Sequence, residues 1–313
     1  MLALSFINTL LLSLATALGC VSSDQPASDP PARPPAEHIE PETTEPAQPE
    51  LDADRLLSEL ETADRGMRDL RATIVYDRID ATLGDRQFRR GELLFQDRTP
   101  EGQANRAGMR SFVVRFEKYS DLDVQRDLNE SWAFDGRWLI ERNDDDKTYR
   151  KREITRAGQE VDPLRLGEGP LPIPIGQRKA DILARYEVEL VDPLDSLEAP
   201  QEEGAPDLYK GYRDWVLTTK AVQIKLTPRT DEDGDFDTVR LWYWVSPSAP
   251  DRWLPLMARA GRNNARGREV DTAFVLMNRV KINEGVTKEE MTVPEPPTDY
   301  TVQIDRLPVE GLE

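Results

Sequence analysis

Hydrophobic side chains recur at helical spacing from Leu56 onward. The spacing predicts one amphipathic helix of about four turns, with an apolar side made of Leu56, Leu57, Leu60, Ala63, Met67 and Leu70. Asp52 or Asp54 is placed to cap its first turn. Such a helix needs a partner surface for its apolar side.

Alternation of apolar and polar residues takes over after this helix and predicts strands at 72–83, 87–97, 109–119, 130–134, 137–142 and 148–154. In the third run, Phe112, Val114 and Phe116 fall on one face, because side chains alternate along a strand. Asp135-Gly136 between two aromatic-rich runs is typical of a β-hairpin.

A Pro-rich but apolar run, 163–176, interrupts the strands and predicts a loop that covers apolar surface. Residues 177–190 then favour a helix with Ile182, Leu183, Tyr186 and Leu190 on one side, and 192–208 an acidic loop. Further strands are predicted at 214–217, 221–227, 237–245, 254–260, 269–282 and 300–304.

This order of elements predicts the fold class. Runs of strands joined by short turns, with about two helices, favour one curved antiparallel sheet over a βαβ fold. We therefore expect an α+β domain over 51–313 that is mostly antiparallel β, with the helices covering one concave apolar face.

The first nineteen residues have the pattern of an export signal. Residues 2–18 are almost wholly apolar, and the run is short for a membrane span. It ends in Ala17-Leu18-Gly19 before Cys20, which is the one cysteine of the chain. This resembles a lipobox, with Ala17 and Leu18 exchanged relative to the usual order and no basic residue in front. We expect cleavage after residue 19 and lipidation of Cys20; the alternatives are an incidental cysteine or an uncleaved anchor.

Residues 20–50 are predicted to be a disordered tether behind that anchor. Residues 21–50 contain eight prolines and seven acidic residues, and such a segment buries too little apolar area to offset its ordering entropy. Val21 follows the cysteine, where an Asp would mark retention at the inner membrane of Gram-negative bacteria. The protein is thus expected in the cell envelope, anchored to a membrane and facing the periplasm. The outer membrane is favoured over the inner membrane.

Composition excludes several kinds of chemistry. The net charge is −18, which argues against nucleic acid as a partner, because phosphate binding needs clustered Lys and Arg. Residues 51–313 contain no histidine and no cysteine, so Ser-His-Asp and Cys-His catalysis and thiolate or imidazole metal sites are excluded there. We expect a protein that is not an enzyme and has no cofactor and no metal; a hydrolase built on carboxylates alone stays open.

Two acidic clusters are interpreted as turns rather than metal sites. Asp231, Asp233, Asp235 and Asp237 alternate, but Phe236 and Trp242 stand where an EF-hand loop needs Gly and Glu. The run 143–146 (Asn-Asp-Asp-Asp) lies between two predicted strands, where Asn and Asp are good turn formers.

Several segments in order resemble the LolA/LolB-like periplasmic lipoprotein carriers. They are the Leu-rich helix leading into 72–76, the run 132–138 (Trp-Ala-Phe-Asp-Gly-Arg-Trp), 239–245 with 254–256, and 280–286 followed by the Pro-rich run to Tyr300. The resemblance spans most of 51–304. It implies an incomplete antiparallel β-barrel, or half-barrel, with a helical lid over a cavity that takes acyl chains of lipoproteins or lipids.

The resemblance and the aromatic residues together give the candidate cavity-lining residues, which are Trp132, Phe134, Trp138, Trp242 and Trp244. The competing interpretation is that these residues pack in the core. Because alternate residues point to opposite faces, Trp242 and Tyr243 cannot both line the concave side.

Two functions are consistent with the sequence. One is a membrane-anchored protein that binds acyl chains and passes them on, with acylated lipoproteins or lipids as partners. The other is a structural or lipid-sensing regulatory envelope lipoprotein on the same fold, its cavity filled by its own side chains. An open apolar face favours the first and a packed face the second.

Overall fold

The computed structural model describes residues 51–63, 66–100, 109–121, 124–155, 175, 178–201, 204–230, 236–247 and 249–307. The chain divides into two units, Met1–Leu51 and Asp52–Glu313, and each helix and strand named below belongs to the second. The predicted signal peptide, Cys20, the tether and nearly all of the 163–176 loop lie outside the described residues.

The described residues form three helices, α1 Ala53–Ala63, α2 Lys179–Arg185 and α3 Lys210–Thr219. The strands before α2 are β1 Asp69–Asp80, β2 Asp85–Asp97, β3 Arg110–Ser120, β4 Gln125–Phe134, β5 Trp138–Asn143 and β6 Thr148–Glu153. The later strands are β7 Tyr186–Val191, β8 Val222–Pro228, β9 Thr238–Val245, β10 Trp253–Asn263, β11 Glu269–Ile282 and β12 Thr301–Asp305.

These strands make one sheet in the order β12-β6-β5-β4-β3-β2-β1-β11-β10-β9-β8-β7. Each neighbouring pair is antiparallel except β12 with β6, which is parallel. In the described part of the chain β12 and β7 are the two outer strands, so the sheet is not closed into a barrel. The predicted fold class, a mostly antiparallel open half-barrel with helices, is confirmed.

Local chemistry explains the element ends. Asp52 caps α1, since its Oδ1 accepts the N–H of Arg55 at 2.7 Å. In the β4–β5 hairpin, Oδ1 of Asp135 accepts the N–H groups of Arg137 and Trp138, and Gly136 has φ 101°. That left-handed conformation suits glycine, as the Asp-Gly signal predicted.

Three predicted elements near the helices were wrong in type or length. Helix α1 ends at Ala63, and Leu70 belongs to β1 instead. The predicted 177–190 helix stops at Arg185, because from Tyr186 onward apolar residues alternate with Glu187 and Glu189 and form β7. The predicted strand at 214–217 is part of α3, a four-residue run being too short to separate the two periods.

The two faces of the sheet are named by the helix that packs on each. The α1 face carries Leu70, Ala72, Ile74 and Tyr76 of β1 and the residues paired with them across the sheet. The α3 face carries Val75, Asp77 and Ile79 and their register partners. Helix α1 contacts β7, β10 and α2, whereas α3 packs on the opposite face. The expectation that the helices share one face is met by α1 and α2, which contact each other, and not by α3, which the sequence predicted as a strand.

The α3 face has two separate covers. Tyr212 and Val216 of α3 join Trp242, Met257 and Phe274 in one buried cluster. The segment between β11 and β12, residues 284–300, covers the other half with Val293, packed against a second cluster made of Val113, Ala133, Ile140 and Tyr149. In the described part of the chain, no helix is long and apolar enough to cross a membrane.

Candidate functional site

The α1 face is an apolar surface that continues across most of the sheet. Trp132, Val114, Leu93 and Ala72 are successive register partners on β4, β3, β2 and β1. A second row continues from Tyr76 through the register partners Val275, Ala258, Leu241 and Ile224 on β11, β10, β9 and β8. Apolar side chains thus line up in rows perpendicular to the strands, as period-two alternation requires when one face is dry.

An aromatic cluster marks the middle of this face. Trp132 lies edge-on to Phe116, with ring centroids 5.1 Å apart, and edge-on to Tyr76 at 5.7 Å. Burial raises the pKa of Tyr76 above its ordinary value, so the phenol stays neutral. The indole Nε1–H of Trp132 donates to Oε1 of Glu130 at 2.7 Å. The cluster therefore combines apolar ring surface with one ion pair on the same face, since Oε2 of Glu130 also binds Nε of Arg89 at 3.1 Å.

The cover of this face at the β7–β10 end is α1. Its Leu56 and Leu57 are 0% and 2% exposed. Trp253 of β10 lies on the α1 face, and its Nε1–H donates to Oε2 of Glu59 on α1 at 2.8 Å. This hydrogen bond is the leading reason that the pKa of Glu59 lies below its usual range.

Helix α2 holds α1 from the other side. Nζ of Lys179 lies 2.5 Å from Oδ1 of Asp54 and 3.0 Å from Oγ of Ser58. Asp54 is largely exposed, so these polar contacts are at the rim and the apolar contacts of α1 lie beneath them. A short helix held by two leucines and a rim of polar contacts is a cover whose removal would expose the β7–β10 end of this face.

The face is covered in this structure. Ile74, Leu93, Val114, Val275, Leu241 and Ile224 all have 0% exposure. Of the five predicted cavity-lining residues, Phe134 is buried on this face, paired with Phe112, and Trp132 is partly buried there.

The other three predicted cavity-lining residues lie on the α3 face. Trp138 pairs with Glu153 on the α3 face and has Lys151 Nζ 5.4 Å from its ring centroid. Trp242 is fully buried on that face and donates from Nε1 to the carbonyl of Pro193 at 2.7 Å. Trp244 packs against the same cluster. The core interpretation applies to all three.

The register between strands explains why these residues lie on the α3 face. Trp242 is the partner of Met257, and the neighbouring Tyr243 is the residue of this pair that faces α1. Sequence reasoning missed Tyr76, Phe95 and Tyr186 as residues of this face. The sequence did group Phe112, Val114 and Phe116 on one face of β3 by their alternation, and the register shows that this is the α1 face.

The acidic run at 143–146 is a turn, as predicted. Oδ1 of Asn143 accepts the N–H of Asp146 at 2.9 Å, and Asp145 accepts from the side chain and the N–H of Asn129. The hydrogen bond from Asn129 lowers the pKa of Asp145. Asp231, Asp233 and Asp235 lie outside the described residues. Within the described ranges, no group of three or more His, Cys, Asp or Glu side chains is arranged to hold a metal ion.

The chain was compared with known proteins. No family model and no curated protein matches it. Similar solved structures include an uncharacterised conserved protein from Thermus thermophilus, at 12% identity over 82% of this chain and 99% of that one, with a TM-score of 0.38. A LolA superfamily protein from Nitrosomonas europaea is 10% identical over 78% and 99% of the two chains, with a TM-score of 0.31.

A third similar structure is a putative outer membrane lipoprotein-sorting protein domain from Vibrio parahaemolyticus, 11% identical over 76% of this chain and 95% of that one, with a TM-score of 0.31. The LolA family named from the sequence is thus represented among the similar structures. Because the TM-scores are below 0.5, these likenesses carry no argument about this chain, and its fold class rests on its own strand order and pairing.

Proposed function

We propose that this chain is a membrane-anchored envelope lipoprotein that binds the acyl chains of lipoproteins or lipids against the α1 face, after α1 moves aside. The observation that carries the proposal is the pair of apolar rows that crosses the sheet from Trp132 to Ile224, the second of which ends beneath α1 at the β7–β10 end of the sheet. The mechanism is opening of the cover, entry of acyl chains onto the apolar rows, and release to an acceptor.

Magnitudes support an exchange between α1 and an acyl chain. Burial of a leucine side chain contributes about 1.5–3 kcal/mol, so Leu56 and Leu57 contribute about 3–6 kcal/mol to docking of α1. Each methylene of an acyl chain contributes about 0.8 kcal/mol on burial, so roughly ten methylenes give about 8 kcal/mol. The burial of an acyl chain and the burial of the two leucines are therefore of similar size.

A second candidate function is favoured by the burial of the same face. Side chains such as Ile74, Val114 and Leu241 are already fully covered. A face that stays filled by the chain's own residues suits a structural or lipid-sensing regulatory lipoprotein, in which α1 position rather than cargo is the signal. A carrier or a lipid sensor would bind acyl chains in stoichiometric amount, whereas a structural protein would not.

The anchor is proposed from Cys20 and the acidic, Pro-rich tether, with the outer membrane as destination because Val21 is not Asp. Metabolic labelling with palmitate tests it. Label that enters the protein and is lost in Cys20→Ser supports the anchor, and fractionation of the membranes then assigns the destination. Equal labelling of the variant would refute lipidation at this residue.

The deciding experiment is native mass spectrometry of residues 20–313 carrying Cys20→Ser, purified from a bacterial periplasm and then mixed with phospholipid or an acylated peptide. A stoichiometric acylated adduct supports the carrier. A clean apo mass, with no uptake of either probe, overturns both the carrier and the lipid-sensing role and leaves the structural one.

Matched variants locate the binding surface. Ala258 lies in the second row of the α1 face, and Ala133 lies on the α3 face beneath residues 284–300. Ala258→Phe and Ala133→Phe both overfill a buried site and cost about 1–3 kcal/mol of stability. Loss of the adduct only in Ala258→Phe is expected if acyl chains bind the α1 face.

A further inference from the structure

Within the described residues, no strand pairs with the outer edge of β12. The N–H of Thr301 donates to the carbonyl of Lys147 at 2.8 Å, at the start of the parallel ladder with β6. In a parallel ladder alternate residues bond to the neighbouring strand. Thr301, Gln303 and Asp305 therefore face β6, and the N–H and C=O groups of Val302 and Ile304 point away from the sheet.

The same two residues carry exposed apolar side chains. Val302 is 48% exposed and Ile304 is 54% exposed. Since both are even-numbered positions of one strand, they lie on the same side of it, next to Tyr149 and Lys151 of β6. Free main-chain groups beside exposed apolar side chains make an edge that pairs readily with another strand.

The opposite outer strand differs from β12 in charge. Strand β7 carries Glu187 and Glu189, both exposed, and charge on an edge strand opposes pairing with a further strand. Strand β12 reads Thr-Val-Gln-Ile before its one charged residue, Asp305, which already pairs with Arg150 at 3.2 Å. Glu189 and Glu187 are also paired, with Lys225 and Arg229, so the two outer strands differ in the number of charged residues, which is one on β12 and two on β7.

We propose that β12 pairs antiparallel with β12 of a second copy of this chain, with Gln303 on the two-fold axis. Val302 then faces Ile304 of the second copy, and the same pair repeats on the other side of the axis. Because the outward main-chain groups belong to these two residues, each pair exchanges two hydrogen bonds.

Charge and side-chain pairing favour this register over the one centred on Ile304. Thr301 lies opposite Asp305 of the second copy, so its hydroxyl can donate to a carboxylate and no like charges face each other. A shift that centres the pairing on Ile304 would instead set Val302 opposite Arg306. The two-fold arrangement uses the β12 edges of both copies, so the assembly stops at a dimer.

The contact is small, since each copy contributes one five-residue strand. Association should therefore be weaker than about micromolar in solution. Anchoring of both copies in one membrane would raise their effective concentration. The inference depends on the sheet edge and not on acyl-chain binding.

The test uses residues 20–313 carrying Cys20→Ser, which contain no other cysteine. Sedimentation velocity over a concentration series should show a reversible monomer–dimer equilibrium. Ile304→Lys should abolish the dimer. Leu217→Lys is the matched control, because Leu217 is 60% exposed on α3 and the same change there should leave association intact.

A cross-link tests the register. Residues at a two-fold axis between antiparallel strands bring their Cα atoms to about 4.5–5.5 Å, within the range of a disulfide. Oxidised Gln303→Cys should therefore form a covalent dimer much faster than Leu217→Cys. A protein that stays monomeric up to its solubility limit, a dimer that survives Ile304→Lys, or equal cross-linking of the two cysteine variants would overturn the proposal.

Discussion

Tyr212 of α3 donates its phenolic hydrogen bond to the carboxylate of Asp77 on β1, which has no exposed surface. Arg86 binds the same carboxylate with two hydrogen bonds, at 3.1 Å from Nε and 2.8 Å from Nη2. Burial, followed by the charge of Asp77, raises the pKa of Tyr212 well above its ordinary value, so the hydroxyl remains a donor. This group of three residues joins α3 to the sheet.

Loss of Arg86 should be the most damaging single change in this group. Arg86→Met leaves the buried carboxylate without its cation and should lower the free energy of unfolding by about 3–5 kcal/mol. Tyr212→Phe removes one hydrogen bond and should cost about 1–3 kcal/mol. Urea unfolding measures both. Arg78→Met is the control: its ion pair with Asp271 is half-exposed, and about 0–1 kcal/mol is expected. Equal losses for Arg86→Met and Arg78→Met would show that burial of Asp77 does not decide the cost.

Gly91 should tolerate no side chain. It lies at a register shift between β2 and β3, where a Cβ would come within 1.7 Å of the carbonyl oxygen of Arg115. Gly91→Ala must separate two backbones, and a destabilisation of about 1–3 kcal/mol is expected. The neighbouring Arg90 is exposed, so Arg90→Ala should stay within about 0.5 kcal/mol of the parent protein. Thermal unfolding that ranks the two changes the other way would contradict the close approach of β2 and β3.

The hydrogen bond between Trp253 and Glu59 should set the local stability of α1. Trp253→Phe keeps most of the ring and removes the donor, and loss of about 1 kcal/mol would speed hydrogen exchange of residues 53–63 about five-fold. Tyr300→Phe is the control, since it deletes a hydrogen bond to Asp144 at the far end of the sheet. An unchanged hydrogen-exchange rate in α1 would mean that the apolar contacts of Leu56 and Leu57 hold the helix without the hydrogen bond between Trp253 and Glu59.

Glu290 should give the segment 284–300 an acid-sensitive attachment. The N–H of Thr287 and then the guanidinium of Arg71 hold the pKa of Glu290 at about 2. Because the folded pKa lies below the ordinary value of 4.5, the stabilisation is fully present above about pH 5 and is lost as the pH falls towards 2. The urea midpoints of the parent protein and Glu290→Gln should therefore converge as the pH falls from 5 to 2. A constant difference across this range would contradict the shifted pKa.

Much of the strand order could be predicted from local pattern. Alternation located β2, β3, β6, β9 and β11 to within a few residues, and Asp135-Gly136 fixed the β4–β5 hairpin. Short runs beside helices could not be assigned. In 209–219 the apolar residues fit both the helical period and the strand period, and only the packing of Tyr212 and Val216 on one side identifies the helix. Trp132 and Phe134 lie on the α1 face, and Trp138, Trp242 and Trp244 do not.

The sequence by itself determined the mostly antiparallel sheet, its main turns and the absence of histidine and cysteine from 51–313, since each of these follows from local composition and period. Only the tertiary structure decided which side chains of different strands lie on the same face of the sheet. That grouping is set by the register between strands that are distant in the chain, such as β1 with β11. The tertiary structure also decided that α3 packs opposite α1 and that β12 adds in parallel at an outer edge. These relations depend on long-range contacts, and local periodicity carries no information about them.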